Sequence, residues 1–125
     1  MEWQTIVIVL AAVAALVLWK SVGLVSVRAA LEHLRQGAKV IDVRTPEEYQ
    51  RDHLPGAVNV PLHELEERIA RVAPDKNQPL LLHCLSGGRS GIAARKLRQM
   101  GYQQVFNLGG FSRAAKVVRQ HTGGK

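Results

Sequence analysis

The sequence has a single cysteine, Cys84, among its 125 residues. One cysteine excludes an intramolecular disulfide, so the chain is not a disulfide-stabilised scaffold, and a reducing compartment suits its free thiol. Its five histidines are scattered without the spacing of metal ligands. The sequence therefore predicts no metal site and no cofactor, and any group carried on Cys84 must leave to another molecule.

Acidic residues are absent from the last 50 residues of the chain. Residues 1–75 hold 8 Lys/Arg and all 10 Asp/Glu, a net charge of −2, whereas residues 76–125 hold 9 Lys/Arg and no acid, a net charge of +9. A basic field around Cys84 attracts small anions and lowers the pKa of the thiol. A solvated basic face or attraction to an anionic membrane surface is the alternative. Nucleic acid binding is not expected, because aromatic residues are few and no reader motif accompanies the charge.

The longest apolar run, Thr5–Trp19, contains no charged residue and lacks a polar face. Tryptophan near both ends is typical of a membrane interface, and residues 5–22 are predicted to contact the membrane. A cleaved signal peptide is the first alternative, but the chain starts with an acidic rather than a basic segment. A buried core helix is the second. We predict a transmembrane anchor over residues 1–22.

Basic residues follow the apolar run rather than precede it. By the positive-inside rule, this asymmetry predicts a single-pass protein with its N-terminus outside and its domain in the cytoplasm, at a bacterial inner membrane. The domain is predicted to cover residues 23–120, and residues 121–125 are predicted to be a frayed tail.

Short apolar runs alternate with helical patterns through the rest of the chain, which favours a parallel sheet covered by helices on both faces. Ser26 is a candidate helix cap, and Thr45 with Glu48 forms a capping-box pattern. The predicted strands are residues 25–27, 39–43, 58–60, 80–83 and 104–108. The fold class is therefore α/β, with five strands.

Cys84 follows the buried strand 80–83 and precedes a helix predicted over residues 90–100, so it lies in a strand-to-helix turn. Free backbone N–H groups and the helix dipole favour a thiolate or an oxyanion there. Gly87 and Gly88 allow the turn to curl, and Arg89 adds a cation. An inert buried cysteine before an ordinary turn is the alternative interpretation.

Four ordered motifs resemble a single-domain rhodanese. They are Asp42-Val43-Arg44, Glu48-Tyr49 with the segment His53 to Pro61, Cys84 to Ser90, and Leu108-Gly109-Gly110-Phe111. The resemblance implies a five-stranded parallel sheet and a sulfurtransferase in which a cysteine accepts a sulfane sulfur as a persulfide. The family's usual assay pair is thiosulfate and cyanide.

Carried onto this sequence, the resemblance implies that Cys84 is the nucleophile and that the active-site loop binds the anionic donor. The loop residues are Leu85, Ser86, Gly87, Gly88, Arg89 and Ser90. Asp42 and Arg44 are expected to support the loop, with Asp42 holding an arginine and not transferring protons.

Cys84 to Arg89 spans six residues, the length that resembles sulfurtransferases; the related phosphatases and arsenate reductases use one residue more. Ala114 stands where many family members have tryptophan, which leaves the packing of the last helix open. Three functions are weighed: an enzyme that passes sulfur from a small anion to cyanide or a thiol, a membrane-tethered module without catalysis, and a sulfur relay to a protein partner.

Overall fold

The computed structural model describes residues 2–123, and the side chains of all of these except residues 19–22. The helices are α1 (Trp3–Val22), α2 (Val27–Arg35), α3 (Pro46–Arg51), α4 (Leu65–Val72), α5 (Gly88–Gln99) and α6 (Phe111–Gly123). The strands are β1 (Lys39–Asp42), β2 (Val58–Asn59), β3 (Leu80–His83) and β4 (Val105–Gly109). A short 3-10 helix, Leu62–Glu64, leads into α4.

The sheet is parallel and has the strand order β2-β1-β3-β4. The prediction of five strands is wrong for the described residues, because residues 25–27 do not form a strand. The Ser26 side chain accepts a hydrogen bond from the N–H of Ala29 and starts α2 there. Only one bridge, between Leu24 and Asn107, remains beside β4. The helix cap therefore ends the extended segment before it can pair as a strand.

The start of α3 agrees with the capping-box pattern in the sequence. The Thr45 side chain accepts from the N–H of Glu48, and the Glu48 carboxylate accepts from the N–H of Thr45. Pro46 occupies the first turn, where its missing N–H costs nothing. The box fixes Glu48 in the segment that follows β1, close to the carboxyl ends of the strands.

The sheet separates two hydrophobic clusters, as expected for a parallel sheet buried on both faces. One contains Ile41, Leu65, Leu82, Cys84 and Leu97, among others. The other contains Val40, Leu81, Leu108, Ala114 and Val117, among others. Ala114 is fully buried in the second cluster, so α6 packs against the sheet at this residue.

The predicted transmembrane anchor over residues 1–22 is not supported. Helix α1 forms, but no helix among the described residues is long and apolar enough to cross a membrane.

The tail predicted over residues 121–125 begins within helix α6. Helix α6 continues to Gly123, and the hydroxyl of Thr122 donates to the carbonyl of Val118. Residues 124 and 125 lie outside the described residues.

Candidate active site

Three neighbouring strand ends bring the predicted site residues to one edge of the sheet. Cys84 follows β3, and its N–H donates to the carbonyl of Gly109 at the end of β4 (3.1 Å). On the other side, the N–H of Val43 after β1 donates to the carbonyl of His83 (3.0 Å). The cysteine therefore sits where ligands bind in open α/β sheets, at the carboxyl ends of the strands.

The sulfur of Cys84 is fully buried and receives hydrogen bonds from its own loop. The N–H of Gly87 lies 3.0 Å from Sγ, and the N–H of Ser90 lies 3.4 Å from it. The Ser90 hydroxyl is a third neighbour, at 3.5 Å. The loop thus surrounds the sulfur with donors that favour a negative charge on it.

The balance of burial and hydrogen bonding lowers the pKa of Cys84. Burial alone raises the pKa of the thiol, because a charged sulfur loses its hydration. Hydrogen bonds from the Ser90 side chain and from the N–H groups of Ser90, Gly87 and Ser86 outweigh that effect. The net pKa lies below the ordinary value of a cysteine, so at a given pH a larger fraction of Cys84 is thiolate than in a free cysteine.

The loop curls through Gly87, which has a φ of +98° and immediately precedes α5. It also packs tightly on the turn after β4. A Cβ placed on Gly110 would lie 2.8 Å from the carbonyl oxygen of Leu85, and the N–H of Phe111 donates to that oxygen at 3.1 Å. The turn after β4 therefore holds the first residue of the loop in place.

Arg89 is paired with a carboxylate and is not a free cation for an incoming anion. Its guanidinium forms two hydrogen bonds to the Glu48 carboxylate, at 2.6 and 3.0 Å. These bonds lower the pKa of Glu48 to about 2, partly offset by burial and reinforced by the N–H of Thr45. The pair ties α5 to α3 and leaves anion binding mainly to the backbone N–H groups of the loop.

Asp42 and Arg44 form a buried pair beside the loop. Arg44 donates to both carboxylate oxygens of Asp42, at 2.7 to 3.0 Å, and to the carbonyl of Asp52 at 2.6 Å. Its guanidinium also lies 4.6 Å from the centre of the Phe111 ring. Asp42 thus holds an arginine in place, and the described contacts of Arg44 brace the segment after β1 against α6.

His83 is buried directly before Cys84, and both of its ring nitrogens lack a hydrogen-bond partner among the described residues. Burial lowers its pKa, although the Asp42 carboxylate, 3.9 Å from Nε2, acts in the opposite direction. The ring is therefore neutral at ordinary pH, and it packs edge-on against Phe111.

Two residues of the site were missed in the sequence. The sequence places Glu48 in a helix cap and in one of the four ordered motifs but gives it no role in the site, and nothing in its spacing indicates that it reaches Arg89. Asn107 was treated only as part of a strand, yet its Oδ1 accepts from the hydroxyl of Ser90 at 2.7 Å. A polar side chain within a buried strand that leads to the Gly109-Gly110 turn is the signal that could have identified Asn107.

The acidic, histidine and cysteine side chains do not gather into a metal centre anywhere in the described part of the chain. The site consists of a thiol, a ring of backbone N–H groups and two arginine–carboxylate pairs. Such a set can stabilise a thiolate and an incoming anion, and it supports nucleophilic chemistry at sulfur.

Comparison with known proteins agrees with this geometry. Residues 26–116 match the family described as the rhodanese-like domain. The chain is 51% identical over 70 residues to the thiosulfate sulfurtransferase PspE of Escherichia coli, a match that covers 56% of this chain and 67% of PspE. It is 37% identical over 89 residues to the thiosulfate sulfurtransferase GlpE of Pseudomonas paraeruginosa, covering 67% of this chain and 79% of GlpE.

A solved structure of a rhodanese with anions from E. coli superposes with a TM-score of 0.60 and 47% identity, covering 62% of this chain and 91% of that one. Residues 26–116, which match the family model, include β1 to β4 and the whole Cys84 loop. The chain therefore belongs to the rhodanese-like domain family and is a rhodanese-type sulfurtransferase.

Proposed function

We propose that the chain takes a sulfane sulfur from a small anionic donor such as thiosulfate onto Cys84 and passes it to cyanide or to a thiol. The observation that carries this proposal is the hydrogen bonding of the Cys84 sulfur by the N–H groups of Gly87 and Ser90. The same donors stabilise the thiolate before attack and the charge that develops during it.

In the first half-reaction, the Cys84 thiolate attacks the outer sulfur of thiosulfate. The sulfur–sulfur bond of thiosulfate breaks, and sulfite leaves with the electron pair. Cys84 then carries a persulfide. No proton is transferred in this step, so it needs no general base, which agrees with the neutral, buried state of His83.

In the second half-reaction, cyanide or a thiolate attacks the outer sulfur of the persulfide. The bond to Cys84 Sγ breaks, thiocyanate or a new persulfide leaves, and the Cys84 thiolate returns. Sγ itself is fully buried. The outer sulfur of the persulfide lies about 2 Å from Sγ, and it is this outer sulfur that the acceptor is proposed to meet. Helix α5 begins at Gly88, so the N–H groups of Gly88 and Arg89 have no acceptor within the helix and can face the donor anion.

Transfer of sulfur fits the loop better than transfer of phosphate. The loop has six residues from Cys84 to Arg89, and Glu48 engages the Arg89 guanidinium through both oxygens. Binding a tetrahedral phosphate dianion requires a wider loop and an arginine whose guanidinium points into the loop. A module without catalysis is not favoured, since it needs neither the donors around Cys84 nor its lowered pKa.

The compartment stays a prediction. We propose a reducing compartment such as the bacterial cytoplasm, because a lone thiol of lowered pKa would form mixed disulfides in an oxidising one. The physiological acceptor is proposed to be a small thiol or a thiol on a partner protein.

Steady-state transfer from thiosulfate to cyanide, measured as thiocyanate formed by the full chain, tests the proposal. The wild-type chain is expected to turn over, and Cys84→Ser is expected to lose essentially all activity. Ser112→Ala, which changes an exposed serine outside the active-site loop, is the matched control and should retain most of it. Full activity of Cys84→Ser would refute the proposal.

A further inference from the structure

The hydroxyl of Ser90 lies between two competing acceptors. Its Oγ is 2.7 Å from Asn107 Oδ1 and 3.5 Å from Cys84 Sγ. The carbonyls of Gly87 and Gly109 are also within reach, at 3.2 and 3.5 Å. A serine hydroxyl has one proton to donate, so it can serve only one of these acceptors well at a time.

Backbone groups fix the orientation of the Asn107 amide. The N–H of Gly109 donates to Oδ1 at 2.9 Å, and Nδ2 donates to the carbonyl of Gly87 at 3.3 Å. A flipped amide would place two donors face to face at Gly109 and two acceptors face to face at Gly87. Oδ1 therefore faces Ser90, and the shortest of the four distances assigns the Ser90 proton to Asn107.

We propose that Asn107 is a positioning residue that acts on the ionisation of Cys84 through Ser90. It accepts the hydrogen bond of the Ser90 hydroxyl until the Cys84 thiolate forms. While Cys84 is a thiol, its S–H donates to the Ser90 oxygen, and the Ser90 O–H donates to Asn107. When the thiolate forms, an oxygen lone pair would face a negative sulfur, so the hydroxyl turns and donates to Sγ. Once the negative charge moves to the outer sulfur of a persulfide, the hydroxyl returns to Asn107.

The turn of the hydroxyl is inexpensive because Asn107 keeps a partner. Its Oδ1 still accepts from Gly109, so no buried acceptor is left unpaired. The amide itself has little room to move, since a Cβ on Gly91 would lie 3.4 Å from Nδ2. Asn107 thus stays in place while one proton changes acceptor.

Other charged or titratable groups surround the sulfur and act on it independently of Asn107. His83 precedes it on β3, the Arg89–Glu48 pair spans α5 and α3, and the Asp42–Arg44 pair ends β1. The described hydrogen bonds of the two pairs run within each pair or to backbone carbonyls and the Thr45 cap. A substitution at Asn107 therefore leaves these groups in position.

The role rests on Cys84 being the proposed nucleophile, but it is tested without any sulfur donor. The rate of Cys84 alkylation by iodoacetamide is measured against pH for the full chain, for Asn107→Leu, for Ser90→Ala and for the double variant. The midpoint of each rate–pH curve reports the ionisation of Cys84. Asn107→Leu removes the competing acceptor, so the midpoint of its curve is expected about one pH unit lower than that of the wild type. Ser90→Ala is expected to raise the midpoint, and adding Asn107→Leu to it should cause no further shift.

A rise in the midpoint of Asn107→Leu, or the same shift in the presence and absence of the Ser90 hydroxyl, would overturn the proposal. If Asn107→Leu does not fold, Asn107→Asp decides. Its carboxylate is expected to raise the midpoint more when Ser90 is present than in Ser90→Ala, and an equal rise contradicts the role. Alkylation midpoints can be measured even for a chain that transfers no sulfur. Failure of the proposed sulfur transfer is therefore distinguished from failure of the role proposed for Asn107.

Discussion

Glu48→Gln isolates the ion pair that ties the active-site loop to α3. The substitution removes the charge that meets Arg89, while the remaining amide oxygen can still accept from the N–H of Thr45. The cap of α3 is therefore kept in part. What is lost is the charge-assisted pair at 2.6 and 3.0 Å.

The size of the effect follows from the pKa of Glu48, which falls from 4.5 to about 2 on folding. Full conversion of that shift gives an upper limit of about 3 kcal/mol. The Arg89 and Glu48 side chains are 35% and 19% exposed, so solvent and salt screen the pair, and we expect about 1 to 2 kcal/mol. A lowered carboxylate pKa stabilises the fold above pH 4.5, and this contribution disappears as the pH falls from 4.5 towards 2.

Urea unfolding of the full chain at pH 7 and at pH 3 measures this contribution. Glu48→Gln is expected to be less stable than the wild type at pH 7, with most of the difference gone at pH 3. Glu47→Gln, an exposed carboxylate one residue earlier in the same helix turn, is the matched control and should follow the wild type. An unchanged difference between wild type and Glu48→Gln at both pH values would refute the ion-pair account.

Two further predictions concern the frame of the site. Asp42→Asn leaves the guanidinium of Arg44 buried without its counter-ion, so urea unfolding should show a loss of about 3 to 5 kcal/mol, and the double variant Asp42→Leu with Arg44→Met should recover part of it. Recovery of nothing would contradict the buried-pair account. Gly110→Ala places a Cβ 2.8 Å from the Leu85 carbonyl and must displace the active-site loop, so sulfur transfer should fall by at least tenfold, whereas Gly123→Ala, with open space around it, should be neutral. Equal activity of the two alanine variants would show that the loop tolerates the displacement.

Much of the site could be predicted because the relevant signals are local. The apolar run before Cys84 and the glycines after it specify a strand, a turn and a helix start, and the Thr45 pattern predicts the capping box. Helix α5 begins at Gly88, two residues earlier than the predicted start. These features depend on residues close together in the chain, which sequence patterns describe well.

The contacts that were missed join distant parts of the chain. Glu48 reaches Arg89 across 41 positions, and Asn107 reaches Ser90 across 17. Such pairs depend on how the strands order in the sheet, which a local pattern does not encode. The strand predicted at residues 25–27 failed for a different, local reason: the apolar residues near Val25 are consistent with a strand, but the competing Ser26 cap starts α2 immediately.

Mass spectrometry of the intact full chain after treatment with thiosulfate tests the central claim most directly. The wild-type chain should gain the mass of one sulfur atom, cyanide should remove it, and the gain should map to Cys84. Cys84→Ser should gain nothing under the same conditions. An unmodified wild-type chain, or a gain of sulfur by Cys84→Ser, would contradict the claim that this cysteine carries the transferred sulfur.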